Sequence, residues 1–409
     1  MAFLLLCAGA VAVAFGVTVI ATPLVRRLAL RRAWTDAPDD HRKFHRRTTP
    51  SMGGTAIFAG VAAATTVIAF VGPRLGLGDL PLPALVIVGG AVMVLLGAVD
   101  DARGLDFKVK LGVEVLVAYS LLHAGLRIDL SALPFVGEDV FLDALYSIPL
   151  TVLWVVGVMN AVNLIDGVDG LASGVVAIAF ASLALAYGLA GDFPLVVLAS
   201  VFVGALAGFL VHNFNPATIF MGDSGSLFLG YSLAVYTLTG PTHPDPVVAP
   251  VLPLLALGLP LLDTSLSMAR RIAERRAISA PDHDHIHHRM SGRMSTSRAV
   301  VALYGISAIF GVLAVLANAA EEMGALVAVG CAIAVAAGLL FRLGYVRLPY
   351  ATPSLRPIKG MDREADWVGR GGSPPEGPPT HPPSQPAAET ESDGQRGEEP
   401  VYSVRNPLA

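Results

Sequence analysis

Five polar segments interrupt the apolar stretches of this chain and contain the residue types that could do chemistry. They are KFHRRTTPSMGG (43–54), VDD (99–101), NLIDGVDGL (163–171), NFNPATIFMGDSGS (213–226) and PDHDHIHHRM (281–290). Carboxylates, amides, imidazoles and cationic side chains all occur in them. Titratable groups gathered at a membrane boundary suit a site that receives a soluble anionic substrate together with a lipid.

Asp100 and Asp101 are adjacent carboxylates at the end of an apolar stretch. Two negative charges near a medium of low dielectric constant repel each other, so one carboxyl should be harder to ionise. Such a group is well placed to accept or share a proton. The alternative is a solvated helix end, and for an Asp-Asp pair alone this alternative is the stronger one.

Asp166 and Asp169 lie three residues apart in a segment that begins at Asn163. Oxygen ligands at this spacing suit a hard divalent cation such as Mg²⁺, and the glycines between them permit tight turns. The alternative is a turn in which Asp and Asn side chains bond to their own backbone. The segment directly follows an apolar stretch, which favours the cation.

The stretch MGDSGS (221–226) precedes another apolar segment. Its small residues predict exposed backbone N–H groups at a helix start, where a phosphate could bind, and Asp223 offers a carboxylate to a metal bridging that phosphate. The alternative is an ordinary helix cap by Asp223 or Ser224. Phe220 could stack on a nucleobase, although a Phe at this place is also typical of an interfacial anchor.

His285, His287 and His288 lie next to Arg289 in a basic segment. Because no thiolate is near and the neighbours are cationic, the pattern favours an anion over a transition metal. We interpret it as a phosphate clamp, with a solvated basic loop as the alternative. Together, carboxylates for a divalent cation and basic groups for a polyanion predict phosphoryl-group chemistry on a lipid carrier.

The elements that must position these residues are membrane helices. Of the 409 residues, 54% are hydrophobic and 15% charged, and the mean hydropathy is +0.63. Since a span requires about 20 apolar residues, we predict eleven, near 2–25, 52–71, 83–99, 111–126, 143–160, 172–190, 194–212, 226–240, 247–268, 299–318 and 322–342. Cys7 and Cys331 lie within apolar runs and are expected to be packing residues.

The charge distribution predicts the orientation of these spans. With the N-terminus outside, the basic connections at 26–50, 100–110 and 269–298 are all cytoplasmic, as the positive-inside rule requires. The expected fold is therefore all-α and polytopic, with about eleven transmembrane helices and a site on the cytoplasmic face. Residues 1–345 form the membrane domain, and the Pro-rich composition of 353–409 predicts a disordered cytoplasmic tail.

From Lys43 to Met290, the polar segments resemble the polyprenyl-phosphate N-acetylhexosamine-1-phosphate transferases. The resemblance implies a site that uses Mg²⁺, with Mn²⁺ as an alternative, in the inner (plasma) membrane. It implies transfer of a sugar 1-phosphate, with N-acetylglucosamine 1-phosphate as the first candidate, from a UDP-sugar to undecaprenyl phosphate, with release of UMP, as the first membrane step of cell-envelope polysaccharide synthesis. The HxHH pattern at 285–288 favours the N-acetylglucosamine branch, because the HHHFE pattern of the phospho-N-acetylmuramoyl-pentapeptide translocase branch is absent.

The resemblance also implies roles for individual residues. The residues expected to be catalytic are Asp100, Asp101, His285, His287 and His288. The residues expected to contact the substrates are Lys110, Asp166, Asp169, Phe220, Arg289, Arg46 and Ser51. The residues expected to bind the metal are Asp223 and Asn163. Which of the basic residues 43–47 meets phosphate stays open.

Two alternatives differ from this expectation in substrate or in class. The translocase would use a muramoyl-pentapeptide donor, and a transporter would use membrane carboxylates as an ion relay, with acids in mid-span on several helices. A nucleic-acid partner is excluded because the basic segments are short and tied to the membrane. The expected partners are thus the UDP-sugar, undecaprenyl phosphate and the bilayer, while a homodimer, the identity of the sugar and a one-step or two-step mechanism stay open.

Overall fold

The computed structural model of the chain describes residues 2–36, 49–76, 83–130, 140–240, 248–277 and 284–345. Arg46 and the tail predicted at 353–409 lie outside these ranges. Within them the chain consists of helices and one short antiparallel pair of strands, in which Thr35 lies opposite Pro50. Every other predicted site residue lies in the described part of the chain.

The described residues form thirteen α-helices. They are α1 (Ala2–Arg31), α2 (Gly53–Val71), α3 (Gly90–Arg103), α4 (Phe107–His123), α5 (Val140–Ile165), α6 (Leu171–Leu189), α7 (Phe193–Asn213), α8 (Asp223–Thr239), α9 (Val251–Ala256), α10 (Gly258–Ala273), α11 (Ile286–Ser291), α12 (Thr296–Ala319) and α13 (Glu322–Leu343). A π-helical turn (Leu85–Gly89) leads into α3, and a 3-10 turn (Pro73–Leu75) follows α2. The strands are β1 (Thr35–Asp36) and β2 (Thr49–Pro50).

Eight helical segments of the described chain are long and apolar enough to cross a membrane. They are Phe3–Arg31, Gly53–Val71, Leu85–Arg103, Ala144–Ile165, Leu171–Leu189, Phe193–Asn213, Thr296–Ala319 and Glu322–Leu343. The prediction of an all-α, polytopic membrane protein is confirmed. Helices also occupy the three other predicted positions, but α4 and α8 have 17 residues each and the third is divided at Leu257. The count of eleven therefore stays a prediction.

Helix α8 is the centre of the bundle. All its residues from Ser224 to Thr237 are buried, which is the pattern of a helix surrounded by other helices. It packs against α2, α3 and α5. Because lipid is as apolar as a leucine side chain, such contacts depend on close packing of small residues.

The start of α8 is held very tightly by its neighbours. A Cβ atom on Gly97 of α3 would lie 2.3 Å from the Asp223 carbonyl carbon, and one on Gly54 of α2 would lie 2.0 Å from the Gly225 nitrogen. Backbone hydrogen bonds reinforce the contact, since the Gly54 N–H donates to the Met221 carbonyl at 2.9 Å. The first and fourth polar segments thereby meet at one point.

Candidate active site

An array of side chains from four helices meets at Asp223, and we call it the aspartate centre: Asp100, Lys110, Asn163 and Asp223. The Lys110 Nζ lies 2.8 Å from the Asp100 Oδ2 and 3.0 Å from the Asp223 Oδ2. The Asn163 Nδ2 donates to the Asp223 Oδ1 at 2.9 Å and to the Ser226 Oγ at 2.9 Å. Four of the predicted residues are therefore in direct contact.

The turn between α3 and α4 explains how Lys110 reaches Asp100. The Leu105 N–H donates to the Asp100 Oδ1 at 2.5 Å, which closes the turn after α3. The Asp106 carboxylate then accepts from the Lys108 N–H at 2.8 Å and caps the start of α4. Lys110, in the first turn of α4, is thereby directed back to the end of α3.

Asp101 faces a different partner from Asp100. Its carboxylate accepts hydrogen bonds from the Asp223 N–H at 2.9 Å, the Ser224 N–H at 3.2 Å and the Ser51 hydroxyl at 3.2 Å. These N–H groups belong to the first turn of α8, which has no intrahelical acceptors for them. Asp101 therefore caps α8 from another helix.

This arrangement gives the two aspartates different surroundings. Asp100 is paired with Lys110, whereas Asp101 accepts from the first turn of α8. The N–H groups of Asp223 and Ser224 are bonded to Asp101, so the prediction that they form an exposed phosphate site is wrong. Ser51 donates a hydrogen bond to Asp101. The catalytic role of Asp101 and the substrate contact of Ser51 stay predictions.

Asp166 lies in the loop after α5, beside the aspartate centre. Burial, together with the nearby carboxylates of Asp223 and Asp101, raises the pKa of Asp166 well above its ordinary value. A hydrogen bond from the Gly222 backbone opposes this shift only in part. A cation bound near this loop would favour the ionised form of the Asp166 carboxyl.

Asp169 is placed differently from Asp166. It is 5% exposed, and its Oδ2 accepts from the Asn215 Nδ2 and the Ala217 N–H, both at 2.9 Å. The Asn213 Oδ1 accepts from the Gly170 N–H at 3.1 Å, which ties the same two loops together. Asp169 thus holds the loop before α8 through its Oδ2, and its substrate contact stays a prediction.

Phe220 lies three residues before Asp223. Its N–H donates to the Pro50 carbonyl at 2.9 Å, and its carbonyl accepts from the Gly53 N–H at 2.9 Å. The backbone of this partly buried residue is therefore held by the first polar segment. Stacking of this ring on a nucleobase stays a prediction.

The segment 284–291, which we call the histidine loop, is organised by an acid that the sequence analysis did not single out. Asp263 of α10 is 2% exposed, and its Oδ2 lies 2.9 Å from the His285 Nδ1. Its Oδ1 accepts from the Ile286 N–H at 2.8 Å. The sequence could have indicated this role, because Asp263 is an acidic residue within the apolar stretch predicted at 247–268.

His287 brings the histidine loop against the loop after α5. A Cβ atom on Gly167 would lie 2.6 Å from the His287 Nε2, so a larger residue there would displace the imidazole. Burial, with repulsion from His288 as a second cause, lowers the pKa of His287 to about 3. This imidazole is neutral at pH 7, so it can offer an N–H to an anion but no positive charge.

Arg289 is engaged by the protein itself. Its guanidinium makes two hydrogen bonds to the Asp284 carboxylate, one of them 2.5 Å long, and another to the Leu343 carbonyl at 3.1 Å. It also lies 3.7 Å from the centroid of the Tyr345 ring. These bonds fasten the loop to the end of α13, and the phosphate contact of Arg289 stays a prediction.

Comparison with known proteins decides the family. Residues 83–240 match the model described as Glycosyl transferase family 4. A relative from Bacillus subtilis, named probable undecaprenyl-phosphate N-acetylglucosaminyl 1-phosphate transferase, is 39% identical over 286 residues, which are 70% of this chain and 77% of the relative. The chain belongs to glycosyl transferase family 4.

Two further relatives support this membership. A decaprenyl-phosphate N-acetylglucosaminephosphotransferase of Mycolicibacterium smegmatis is 36% identical over 312 residues, 70% of this chain and 76% of the relative. An undecaprenyl-phosphate alpha-N-acetylglucosaminyl 1-phosphate transferase of Escherichia coli is 27% identical over 293 residues, with coverages of 69% and 76%. The predicted family resemblance is confirmed, and these relatives carry names from the N-acetylglucosamine branch.

The divalent cation expected of a family 4 site can be tested against the donor set. Among the described residues, no three His, Cys, Asp or Glu side chains converge as a metal cage. Mg²⁺ does not require one, because it is commonly held by one or two carboxylates, water and substrate phosphates. Asp223 and the Oδ1 of Asn163 fit that mode, since the Asn163 Nδ2 is the atom bonded to Asp223.

A second pair of polar residues, Glu114 and Asn160, lies one helical turn from the aspartate centre. Glu114 of α4, four residues after Lys110, is 3% exposed and accepts from the Asn160 Nδ2 at 2.6 Å. Asn160 precedes Asn163 by three residues on α5, so the pair and the aspartate centre are built from the same faces. The sequence could have indicated this pair, because Glu114 is an acid inside the apolar stretch predicted at 111–126. Because Glu114 is hydrogen-bonded to Asn160, we interpret it as a residue that supports the site and not as part of an ion relay.

Proposed function

We propose that the chain transfers N-acetylglucosamine 1-phosphate from UDP-N-acetylglucosamine to undecaprenyl phosphate and releases UMP. The observation that carries the proposal is the aspartate centre, where carboxylates, an ammonium and an amide from four helices meet at the ends of apolar helices. Such a site suits a polyanionic donor and a lipid acceptor. The names of the similar proteins supply the sugar and the lipid class.

In the proposed reaction, an oxygen of the acceptor phosphate attacks the β-phosphorus of the donor. A new P–O bond forms to the sugar 1-phosphate, and the P–O bond to UMP breaks. The second pKa of a phosphate monoester is about 6, so the acceptor is already largely ionised at pH 7. Neutralisation of charge in the transition state should therefore lower the barrier more than proton removal does.

Different protein groups would bind the donor and neutralise its charge. Lys110, held by Asp100 and Asp223, directs an ammonium at the donor's pyrophosphate. Asp223 and Asn163 would hold Mg²⁺ or Mn²⁺, which when bound supplies positive charge to the same pyrophosphate. The Asp166 carboxylate would contact either the cation or the nucleoside of the donor.

The proposal places the site on the cytoplasmic side of the plasma membrane. The basic residues of α10 and the connections after α1 and α3 support this orientation, as the positive-inside rule requires. A soluble UDP-sugar would then reach the aspartate centre from the cytoplasm, while the lipid phosphate enters from the bilayer.

A single assay tests the function. Purified protein is incubated with undecaprenyl phosphate, Mg²⁺ and one of several donors: UDP-N-acetylglucosamine, UDP-N-acetylgalactosamine, UDP-glucose or the UDP-muramoyl-pentapeptide. We expect UMP and lipid-linked sugar in equal amounts, with the highest kcat/KM for UDP-N-acetylglucosamine. No UMP release with any donor would refute the transferase, and a preference for the muramoyl-pentapeptide would assign the chain to the translocase branch.

A further inference from the structure

We infer that Asp263 is a positioning residue that fixes the tautomer and the orientation of His285. The inference rests on the proposed function, because His285 lies in the histidine loop of the same site. Asp263 is almost fully buried and makes two hydrogen bonds, one to the His285 ring and one to the Ile286 backbone. The sequence motifs of the site do not include it.

The chemistry of the pair determines where the imidazole proton lies. An ionised carboxylate can only accept hydrogen bonds, so the His285 Nδ1 at 2.9 Å from the Asp263 Oδ2 must carry a hydrogen. Nε2 is then the nitrogen that remains to meet a substrate group. The bond from Ile286 uses the other oxygen, Oδ1, and cannot by itself account for the bond to His285.

Helix α10 gives Asp263 a rigid support. Asp263, Ser267 and Arg271 are buried and recur every four residues, so they form one polar face directed into the protein. The apolar side chains of Met268 and Ile272 are exposed on the other side. A helix that presents its polar face inward holds a side chain more accurately than a loop does.

The position of Asp263 also affects the neighbouring loop. The His287 ring stacks on the His285 ring, with centroids 5.4 Å apart and an interplanar angle of 8°. The His287 Nδ1 lies 3.9 Å from the Asp263 Oδ2, and its other edge packs against Gly167. Turning His285 would therefore disturb the contact between the histidine loop and the loop that contains Asp166.

The first test is Asp263→Asn, which changes one oxygen to an NH₂ group. The amide of Asn has only one oxygen, so it can accept from the Ile286 N–H or from the His285 Nδ1–H, but not from both. If it keeps the bond from Ile286, its NH₂ group faces the His285 Nδ1–H and the two donors repel each other. We expect kcat to fall by about 10- to 100-fold, with an unchanged KM for the lipid acceptor. Asp263→Glu should restore part of the rate. An unchanged kcat in Asp263→Asn would overturn the inference.

A double-mutant cycle separates positioning from general support of the fold. If Asp263 acts through His285, the variant with both Asp263→Asn and His285→Asn should be no slower than His285→Asn alone. Asp284→Asn is the matched control, since Asp284 lies in the same loop but pairs with Arg289. Its effect should add independently to that of His285→Asn. Additive losses for Asp263 and His285 would contradict the inference.

A measurement without turnover keeps this inference distinct from the proposed function. The ¹⁵N spectrum of histidine-labelled protein reports the tautomer of His285, which is assigned by the signal missing in His285→Asn. We expect the Nδ1–H form in the wild type and its loss in Asp263→Asn. An unchanged tautomer would overturn the inference, whereas absent UMP release by the wild type would overturn the function alone.

Discussion

The aspartate centre and the histidine loop are built in different ways, although the histidine loop packs against Gly167, four residues after Asn163. In the aspartate centre, Asp100, Lys110, Asn163 and Asp223 bond to one another as the sequence motifs lead one to expect. In the histidine loop, the predicted phosphate ligand Arg289 is engaged by Asp284 and the end of α13. Side chains at the ends of long helices thus bond to one another within the site, while the histidine loop uses Arg289 to fasten itself to the end of α13.

The cause lies in the supporting elements. Each residue of the aspartate centre is within one turn of the end of a helix in a packed bundle, so its position follows from the bundle. Helix α11 has only six residues and is far too short to be stable alone. It depends on contacts with Asp263 and Tyr345, which are distant in sequence.

The largest effect is expected for Asp223→Asn. The change removes a charge from the meeting point of four helices, and transfer should fall by about 10³-fold, while the protein still inserts into the membrane. UMP release measures the loss. Asp106→Asn is the matched control, because Asp106 is exposed and Asn also caps helices well, so near wild-type rates are expected. Full activity of Asp223→Asn would contradict the role of the aspartate centre.

Lys110→Gln should have the next largest effect. Without the ammonium, Asp100 and Asp223 repel each other and the donor's pyrophosphate loses a cation, so kcat/KM for the UDP-sugar should drop by about 10²-fold. Lys108→Gln, two residues away on an exposed surface, provides the comparison and should leave kcat/KM unchanged. Equal losses in both variants would mean that general basic charge, and not the contact with Asp223, is what matters.

The dependence of cation binding on pH is a smaller effect. The raised pKa of Asp166 means that this carboxyl keeps its proton to a higher pH than a solvated one. A cation favours the ionised form, so binding should release protons, and apparent affinity should rise with pH by up to about tenfold per unit. The Mg²⁺ concentration at half-maximal activity measures this from mildly acidic to neutral pH. The dependence should weaken in Asp166→Asn, and a wild-type affinity that falls as pH rises would contradict the assignment.

The smallest effect on transfer is expected for Arg289→Gln. Because the guanidinium is bonded to Asp284 and Leu343, its loss should lower the free energy of unfolding by about 1 kcal/mol, with rates within about twofold of wild type. Thermal melting and UMP release measure the two quantities. A tenfold rise in the KM for the UDP-sugar would instead indicate that Arg289 contacts the donor's phosphates. The histidine loop would then bind substrate as the aspartate centre is proposed to do.

Asp101 and Asp169 show which part of the site a sequence cannot predict. They are of the same residue type as Asp100 and Asp166 and occur in the same motifs, yet Asp101 caps α8 and Asp169 holds the Asn215 loop. Consecutive residues on a helix point about 100° apart, so Asp100 and Asp101 must face different neighbours. The neighbour itself is set by the packing of helices far apart in sequence.

The fold was more predictable than the site because hydropathy acts over whole segments. Apolar runs predicted helices at every position where α1 to α13 of the bundle lie, apart from the short α11. The division of one predicted span at Leu257 was not visible, since the residues on both sides are apolar. Asp263 follows that break by six residues, so the missed break and the missed acid belong to the same region.

We propose that Asp223 and Asn163 form the protein part of one cation site. Titration of the purified protein with Mn²⁺, followed by the electron paramagnetic resonance signal of free Mn²⁺, tests it most directly. We expect one tight site per chain in the wild type in the presence of UDP-N-acetylglucosamine, and its loss in both Asp223→Asn and Asn163→Leu. Undiminished binding in the Asp223 variant would contradict it.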